Sequence, residues 1–447
     1  MPVFHIFKSW FAEGIFRRIF KNAGLLLSGR VANGVLGLAT LSLMAKGLGV
    51  ERFGLVILVQ TYVQVITGLA TFQSWQAVIR YGATHLKNQD TASFQSLLKF
   101  TTMLDVIGVL AGTVIGYVAV PFIGPFLQWD AEVIGLAQIY SALILFTMTA
   151  APTGLLRLFD RFDVLSWQTT ITPLLRLAGI GLAVSLDGPL WAYLLTWFLA
   201  GAVGGLMLMV LGWREAARRG VLAGMSWSFQ DLAKGHDGIW RFSIASNIHS
   251  SLQLVTGQMA TFLVGLVAGP AEAGLFKIGR DLATTLTKPA EMLNQSIYPE
   301  FARLSSVSNW HDFTRLIMRG GIVAGAAGLV LLMLTLVAGE SFLRLFFGAD
   351  FAAANAVLVL QIAAAVVTIA GFSMDPALYA MGRPGIPLRI NLVSVLAVFL
   401  PLLVVLGQTQ GATGAGIAAL VSAVVTFAAT AILTAIELRK RAANPSL

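Results

Sequence analysis

Lys277, Arg280, Asp281, Lys288 and Glu291 lie within one largely apolar stretch of this sequence. At roughly 100° per residue, a helix gathers them, together with Thr284, Gln295 and Tyr298, into a sector of about 100°. Such a stripe cannot face hydrocarbon, because each ionisable side chain at mid-bilayer costs at least about 2.5–3.5 kcal/mol on insertion scales. It must face a protein interior or a water-filled space. Pro289 frees the carbonyl of Thr285 and predicts a kink in this helix, of the kind that suits a gate.

Other segments carry weaker versions of the same pattern. Gln60 and Gln64 share one helix face with Thr67, Thr71 and Ser74; Arg30 pairs with Asn33 in an earlier segment; Asn247 and Gln258 join Ser243 in a later one. The chemistry this predicts is a hydrated chamber lined by Arg30, Lys277, Arg280 and Lys288, which would take an anion. Arginine in particular matches phosphate through paired hydrogen bonds. Pairing within the helix, Lys277 with Asp281 and Lys288 with Glu291, is the structural alternative; it leaves Arg30 and Arg280 without acidic partners on their own helices. Asp281, Glu291, Asp105, Asp375 and Pro289 are candidates for coupling or gating. Asp105, Asp375 and Arg176 fit a proton site or interhelical pairs equally, and His249 lies off the polar face of its helix.

The elements that must position these residues are membrane-spanning. Residues of hydrophobic type make up 57% of the 447-residue chain and charged ones 11%, against about 25% charged in soluble domains. Stretches of roughly 20 apolar residues predict an all-α, polytopic membrane protein of about twelve helices in two pseudo-symmetric six-helix lobes around a central cavity. The expected organisation is a cytoplasmic interfacial helix over 1–24, a first lobe over 25–212, a cytoplasmic linker over 213–240, a second lobe over 241–436 and a cytoplasmic tail over 437–447. Lys46, Arg52 and Arg344 are the basic residues of one set of loops, and the other loops hold most of the 30 Lys and Arg. That asymmetry predicts both termini in the cytoplasm.

Two local matches suggest an internal repeat. Val50-Glu51-Arg52-Phe53-Gly54-Leu55 corresponds to Pro270-Ala271-Glu272-Ala273-Gly274-Leu275 at an offset of 220, and Leu156–Arg161 (LRLFDR) to Leu378–Arg383 (LYAMGR) at 222. Offsets this close, at equivalent topological stations, predict lobes related by an axis along the membrane normal.

The net charge of +9 is dispersed over short loops, which argues for membrane orientation and against nucleic acid. Cysteine is absent, excluding thiolate metal sites and cysteine nucleophiles. No phosphate-cradling loop, HExxH or nucleophile elbow occurs. The sequence therefore predicts no enzyme and no cofactor, and its exterior loops are too short for a catalytic domain.

Three stretches carry a resemblance: AKGLGVERFGLVILVQ from Ala45, RLFDRFDVLSW from Arg157 and GLFKIGRDLATTLTKPAEMLNQSIYPEFARL from Gly274. With them the chain resembles the polysaccharide-export branch of the multidrug, oligosaccharidyl-lipid and polysaccharide (MOP) flippase superfamily, the Wzx-type O-antigen and lipopolysaccharide flippases. The resemblance implies a bacterial inner-membrane flippase that turns an oligosaccharide on undecaprenyl pyrophosphate from the cytoplasmic to the periplasmic leaflet by alternating access. In that setting Arg30, Lys277, Arg280 and Lys288 would hold the pyrophosphate. Asn33, Gln60, Gln64, Asn247 and Gln258 would form the glycan-binding wall. Direction would come from a proton or sodium gradient or from downstream polymerisation, since no nucleotide domain is present. The implied partners are the lipid-linked oligosaccharide, membrane lipids and the polysaccharide polymerase machinery, and the implied state is a monomer. A lipid II flippase, a cation-coupled drug exporter of the same superfamily and a membrane glycosyltransferase or ligase remain alternatives.

Overall fold

The computed structural model describes residues 14–443 apart from positions 227, 229–231, 233–234, 308 and 384, and within its helices the side chains of 14–32, 245, 248–257, 287–296, 298–299, 302, 306 and 442–443 are likewise left out. Part of the expected interfacial helix, residues 1–13, thus lies outside the described residues. No strand occurs among those described.

Helices follow one another throughout: α1 (Gly14–Ala70), α2 (Ser74–Lys87), α3 (Thr91–Ile123), α4 (Ala131–Ser141), α5 (Ala150–Leu158), α6 (Phe162–Ser185) and α7 (Leu190–Arg218), then α8 (Ile239–Ala268), α9 (Pro270–Ser306), α10 (Trp310–Phe347), α11 (Ala354–Ala370), α12 (Met374–Ala380), α13 (Gly385–Val393) and α14 (Leu400–Ala443). Two of these are pairs joined across a glycine. Gly49 in α1 has φ 69 and ψ 175, and Gly411 in α14 has φ 60 and ψ −137, conformations that L side chains resist. Divided there, and with the stretches at 71–73, 142–149, 371–373 and 394–399 counted as parts of single passes, the described helices give the expected total of about twelve.

Among the described residues seven segments are long and apolar enough to cross a membrane, and two of them, Asn33–Lys87 and Gly385–Arg441, are 55 and 57 residues long. Each of those holds two passes, since a single pass needs only about 20 residues. Helix α9 carries Lys277, Arg280 and Asp281 in its first turns. The helix continues through Pro289 to Ser306 without a break.

By contacts the chain forms two compact units, residues 1–47 with 59–258, and 48–58 with 259–447. The division falls inside α8 at Gln258, not in the linker at 213–240. The exchange of 48–58 begins at the Gly49 turn, so the first turns of the second pass pack with the second unit.

The repeat is visible atom by atom. Gly269, which opens α9, has φ 92 and ψ 176, close to the values at Gly49, its counterpart in the first half of the chain. Asp160 and Gly382, equivalent positions of the LRLFDR and LYAMGR stretches, both take positive φ, 57 and 72. After each, the same helix-ending hydrogen bond forms: Arg161 N–H to Leu156 O at 2.8 Å and Arg383 N–H to Leu378 O at 2.9 Å, the closure of a Schellman cap.

An ion cage accompanies each cap. In the first unit Glu215 accepts from Arg161 at 2.6 Å and from Arg219 at 2.9 Å, and Arg219 also donates to Phe159 O. In the second unit Glu437 lies 3.4 Å from both Arg383 and Lys440, while Arg441 donates to Met381 O. Arg161, Glu215, Arg219 and Phe159 correspond to Arg383, Glu437, Arg441 and Met381 at the one offset that relates the two caps.

The linker is docked. Gln95 of α3 donates to the carbonyls of Val221 and Ala223, Lys99 to those of Ser226 and Ser228, and Tyr81 of α2 to Asp237. His85 and His236 meet at 3.0 Å between ring nitrogens.

Candidate functional site

The charged stripe is placed by α9, whose start is fixed by Gly269 and by Pro270 in the first turn, where a missing N–H costs nothing. Lys277 Nζ lies 3.0 Å from Asp281, and the two side chains are 18% and 30% exposed. The intrahelical pairing weighed as an alternative is therefore formed at this position. Arg280 is partly buried and makes no ion pair among the described residues. Lys288, Pro289 and Glu291 lie on the same helix, but their side chains, like that of Arg30, fall outside the described ones, as does that of His249.

Of the expected glycan wall, Gln60 is 3% exposed and its Nε2 has no hydrogen-bond partner. Gln258 is partly buried with Oε1 unpartnered. A buried amide left unsatisfied costs about 1–3 kcal/mol. Asn247 is buried, whereas Asn33 and Gln64 are exposed. These five belong to the first unit, and Lys277, Arg280 and Asp281 to the second.

The two carboxylates singled out for coupling have different surroundings. Asp105 of α3 is 3% exposed; its Oδ1 accepts from Ser74 Oγ at 2.7 Å and its Oδ2 from Ala151 N at 3.0 Å. Ser74 and Ala151 sit in the first turns of α2 and α5, directly after breaks in the helical passes. Asp105 thus supplies an acceptor to both restarting helices, whose first N–H groups lack intrahelical partners. Asp375, at the start of α12, has no ion-pair partner among the described residues. With Thr368, Asn391, Thr426 and Thr430 it lines a cavity of about 180 Å³ in the second unit.

Sequence reading missed the polar set around Asp375 and the ion cages. The signal for the cages was present, since Glu215 and Glu437 repeat at the same offset as the LRLFDR and LYAMGR stretches. The His85 and His236 contact joins residues 151 apart and had no local signature.

Residues 19–305 match the family described as "Polysaccharide biosynthesis protein". The chain belongs to that family. It is also 34% identical over 346 residues to "Inner membrane protein YghQ" of Escherichia coli strain K12, covering 77% of this chain and 96% of that one.

Solved structures of similar fold include an inward-facing multidrug resistance MATE family transporter of the MOP superfamily, with TM-score 0.67, 16% identity and coverage of 92% and 95% of the two chains. Another is the lipid II flippase MurJ in an inward closed conformation, with TM-score 0.64, 12% identity and coverage of 93% and 89%. At those identities the likeness establishes the fold. The polysaccharide biosynthesis family member described here is thus a multi-pass membrane protein with the architecture of MOP superfamily transporters.

Proposed function

We propose that the protein is a flippase of the cytoplasmic membrane that carries an undecaprenyl-pyrophosphate-linked oligosaccharide, an O-antigen or exopolysaccharide repeat unit, from the cytoplasmic to the periplasmic leaflet. The observation that carries this reading is Arg280: a partly buried guanidinium without an ion-pair partner among the described residues, on a helix that also carries Lys277 and Asp281 within the same turns. A cation in that setting calls for an anionic occupant, and a phosphate ester supplies paired acceptors for its planar fork.

Arg280 anchors the head group, with Arg30 and Lys288 as further cations and Lys277 held in reserve by Asp281. The unpartnered amides of Gln60 and Gln258, with Asn247, Asn33 and Gln64, hydrogen-bond the glycan. The prenyl tail stays in lipid, and rocking of one lobe against the other moves the head group across.

Asp375 supports a coupling role. A carboxylate facing three hydroxyls and an amide across a small cavity is a chemistry that holds a proton or a sodium ion. Asp105, with both oxygens occupied by backbone and hydroxyl donors, serves architecture.

Deleting the gene tests the substrate class. The expected outcome is accumulation of a lipid-linked oligosaccharide on the inner leaflet and loss of a surface polysaccharide, restored by the wild-type gene and not by a version with Arg280→Ala and Lys288→Ala. Accumulation of lipid II would transfer the proposal to peptidoglycan synthesis; heightened drug sensitivity with no lipid intermediate would overturn it in favour of drug export.

A further inference from the structure

Arg176 occupies the middle of the 24-residue helix α6, at a depth where a cation is expensive, and the flippase reading gives it no task. Its guanidinium carbon stands 4.5 Å from the centroid of the Trp197 ring on α7. Tyr140, 5% exposed at the end of α4, lies within electrostatic reach of it. No carboxylate pairs with Arg176 among the described residues. Its Nε is sealed from solvent with no hydrogen-bond partner, and so is the indole Nε1 of Trp197.

The stacking satisfies only part of what this cation needs. Cation–π attraction acts through the face of the guanidinium and of the ring, whereas every N–H of both groups points outward in its own plane. The Arg176 Nε and Trp197 Nε1 donors therefore remain without acceptors, beside a positive charge that no carboxylate pairs among the described residues. Two sealed donors and a cation together lack one thing, an acceptor carrying negative charge. The Arg176 side chain as a whole is only partly buried, so the arrangement is open at one end. Leu174 and Leu175, which precede Arg176 on α6, are 47% and 40% exposed.

We propose that Arg176, Trp197 and Tyr140 form an oxyanion-binding site within the first unit, separate from the α9 stripe, that takes a phosphate group. The site stands whether or not the transported substrate is a glycolipid, because all of its residues lie in α4, α6 and α7. Arginine supplies charge and in-plane donors, the indole adds one donor, and the phenol adds a hydroxyl within electrostatic reach of the guanidinium. The phosphate could arrive as a phospholipid headgroup or as a free ion, and the two differ in whether an acyl chain is required.

Purified protein in a neutral detergent is titrated separately with phosphatidylglycerol, with diacylglycerol, which has the acyl chains and no phosphate, and with inorganic phosphate, and thermal stabilisation is recorded. Stabilisation by phosphatidylglycerol alone identifies a lipid headgroup, and stabilisation by inorganic phosphate identifies the free ion; both support the site. In either case Arg176→Gln weakens the effect roughly tenfold or more. Trp197→Phe, which keeps the ring under the guanidinium and removes one donor, weakens it by a smaller factor and serves if Arg176→Gln does not fold. Equal stabilisation by diacylglycerol, no stabilisation of the wild type by either phosphate source, or full retention in the Trp197→Phe and Arg176→Gln variants overturns the proposal.

Discussion

Gly54 and Gly274, which occupy the same position in the two copies of the repeat, meet backbone to backbone. A Cβ on Gly54 would overlap the Pro270 carbonyl, and one on Gly274 would stand 3.2 Å from the Gly54 Cα and 2.9 Å from the Phe53 ring. The opening turns of the second and eighth passes thus cross at the two glycines that the repeat equates, as small residues allow in helix crossings within lipid.

Adding one methyl group there tests the crossing. Gly54→Ala, opposed by backbone, should destabilise by about 1–3 kcal/mol or more, as overpacking does. Gly274→Ala, opposed partly by a ring that can shift, should cost less. Thermal unfolding in detergent ranks the two, and equal tolerance would show that the helices do not cross this tightly.

The paired ion cages make a second prediction. Removing Glu215 leaves Arg161 and Arg219 without their shared acceptor, and removing Glu437 does the same to Arg383 and Lys440. The glutamates are buried while the bases are partly exposed, so Glu215→Ala and Glu437→Ala should each lose about 1–3 kcal/mol. The shorter contacts around Glu215 make its loss the larger. Melting curves of both variants measure this.

The docked linker should respond to pH. Burial, followed by the neighbouring His85, lowers the pKa of His236 from its ordinary 6.5. The unfolded or undocked segment then binds a proton more readily than the docked one, so docking is fully favourable above about pH 6.5 and weakens as pH falls below it. Limited proteolysis of residues 221–238 should quicken between pH 7 and pH 5 in the wild type. In a His236→Gln variant the rate should be independent of pH over that range; an unchanged pH response would show that other groups govern the docking.

Asp105 and Asp375 should separate on mutation. Asp105→Ala removes acceptors from Ser74 and Ala151 and should cost about 1–3 kcal/mol of stability without altering the ion dependence of whatever transport remains. Asp375→Asn should leave stability near wild type and abolish dependence on the proton or sodium gradient. Transport assayed with and without each gradient distinguishes the two residues.

How much of this was legible in the sequence depends on distance along the chain. The α9 stripe, the passes and the two-lobe repeat follow from helical periodicity and from short motifs, all of which are local. The caps at Asp160 and Gly382 are marked by LRLFDR and LYAMGR in the sequence itself. The breaks at 71–73 and 371–373 are not, because apolar composition runs through them and only tertiary acceptors such as Asp105 reveal where a helix restarts. The unpartnered state of Gln60 and the stack of Arg176 on Trp197 are three-dimensional properties with no sequence pattern. The exchange of residues 48–58 into the second unit arises from the glycine crossing, which a linear reading places inside the first lobe.

The central claim is that the α9 cations hold a phosphorylated lipid carrier during its passage through the membrane. Purified protein in liposomes, loaded with a labelled undecaprenyl-pyrophosphate oligosaccharide in one leaflet, tests it by the rate at which label reaches the other leaflet. The account predicts acceleration by the wild type over empty liposomes and a loss of roughly tenfold or more for Arg280→Ala at unchanged melting temperature. Label crossing equally fast with Arg280→Ala, or no faster with the wild type than in empty liposomes, would contradict it.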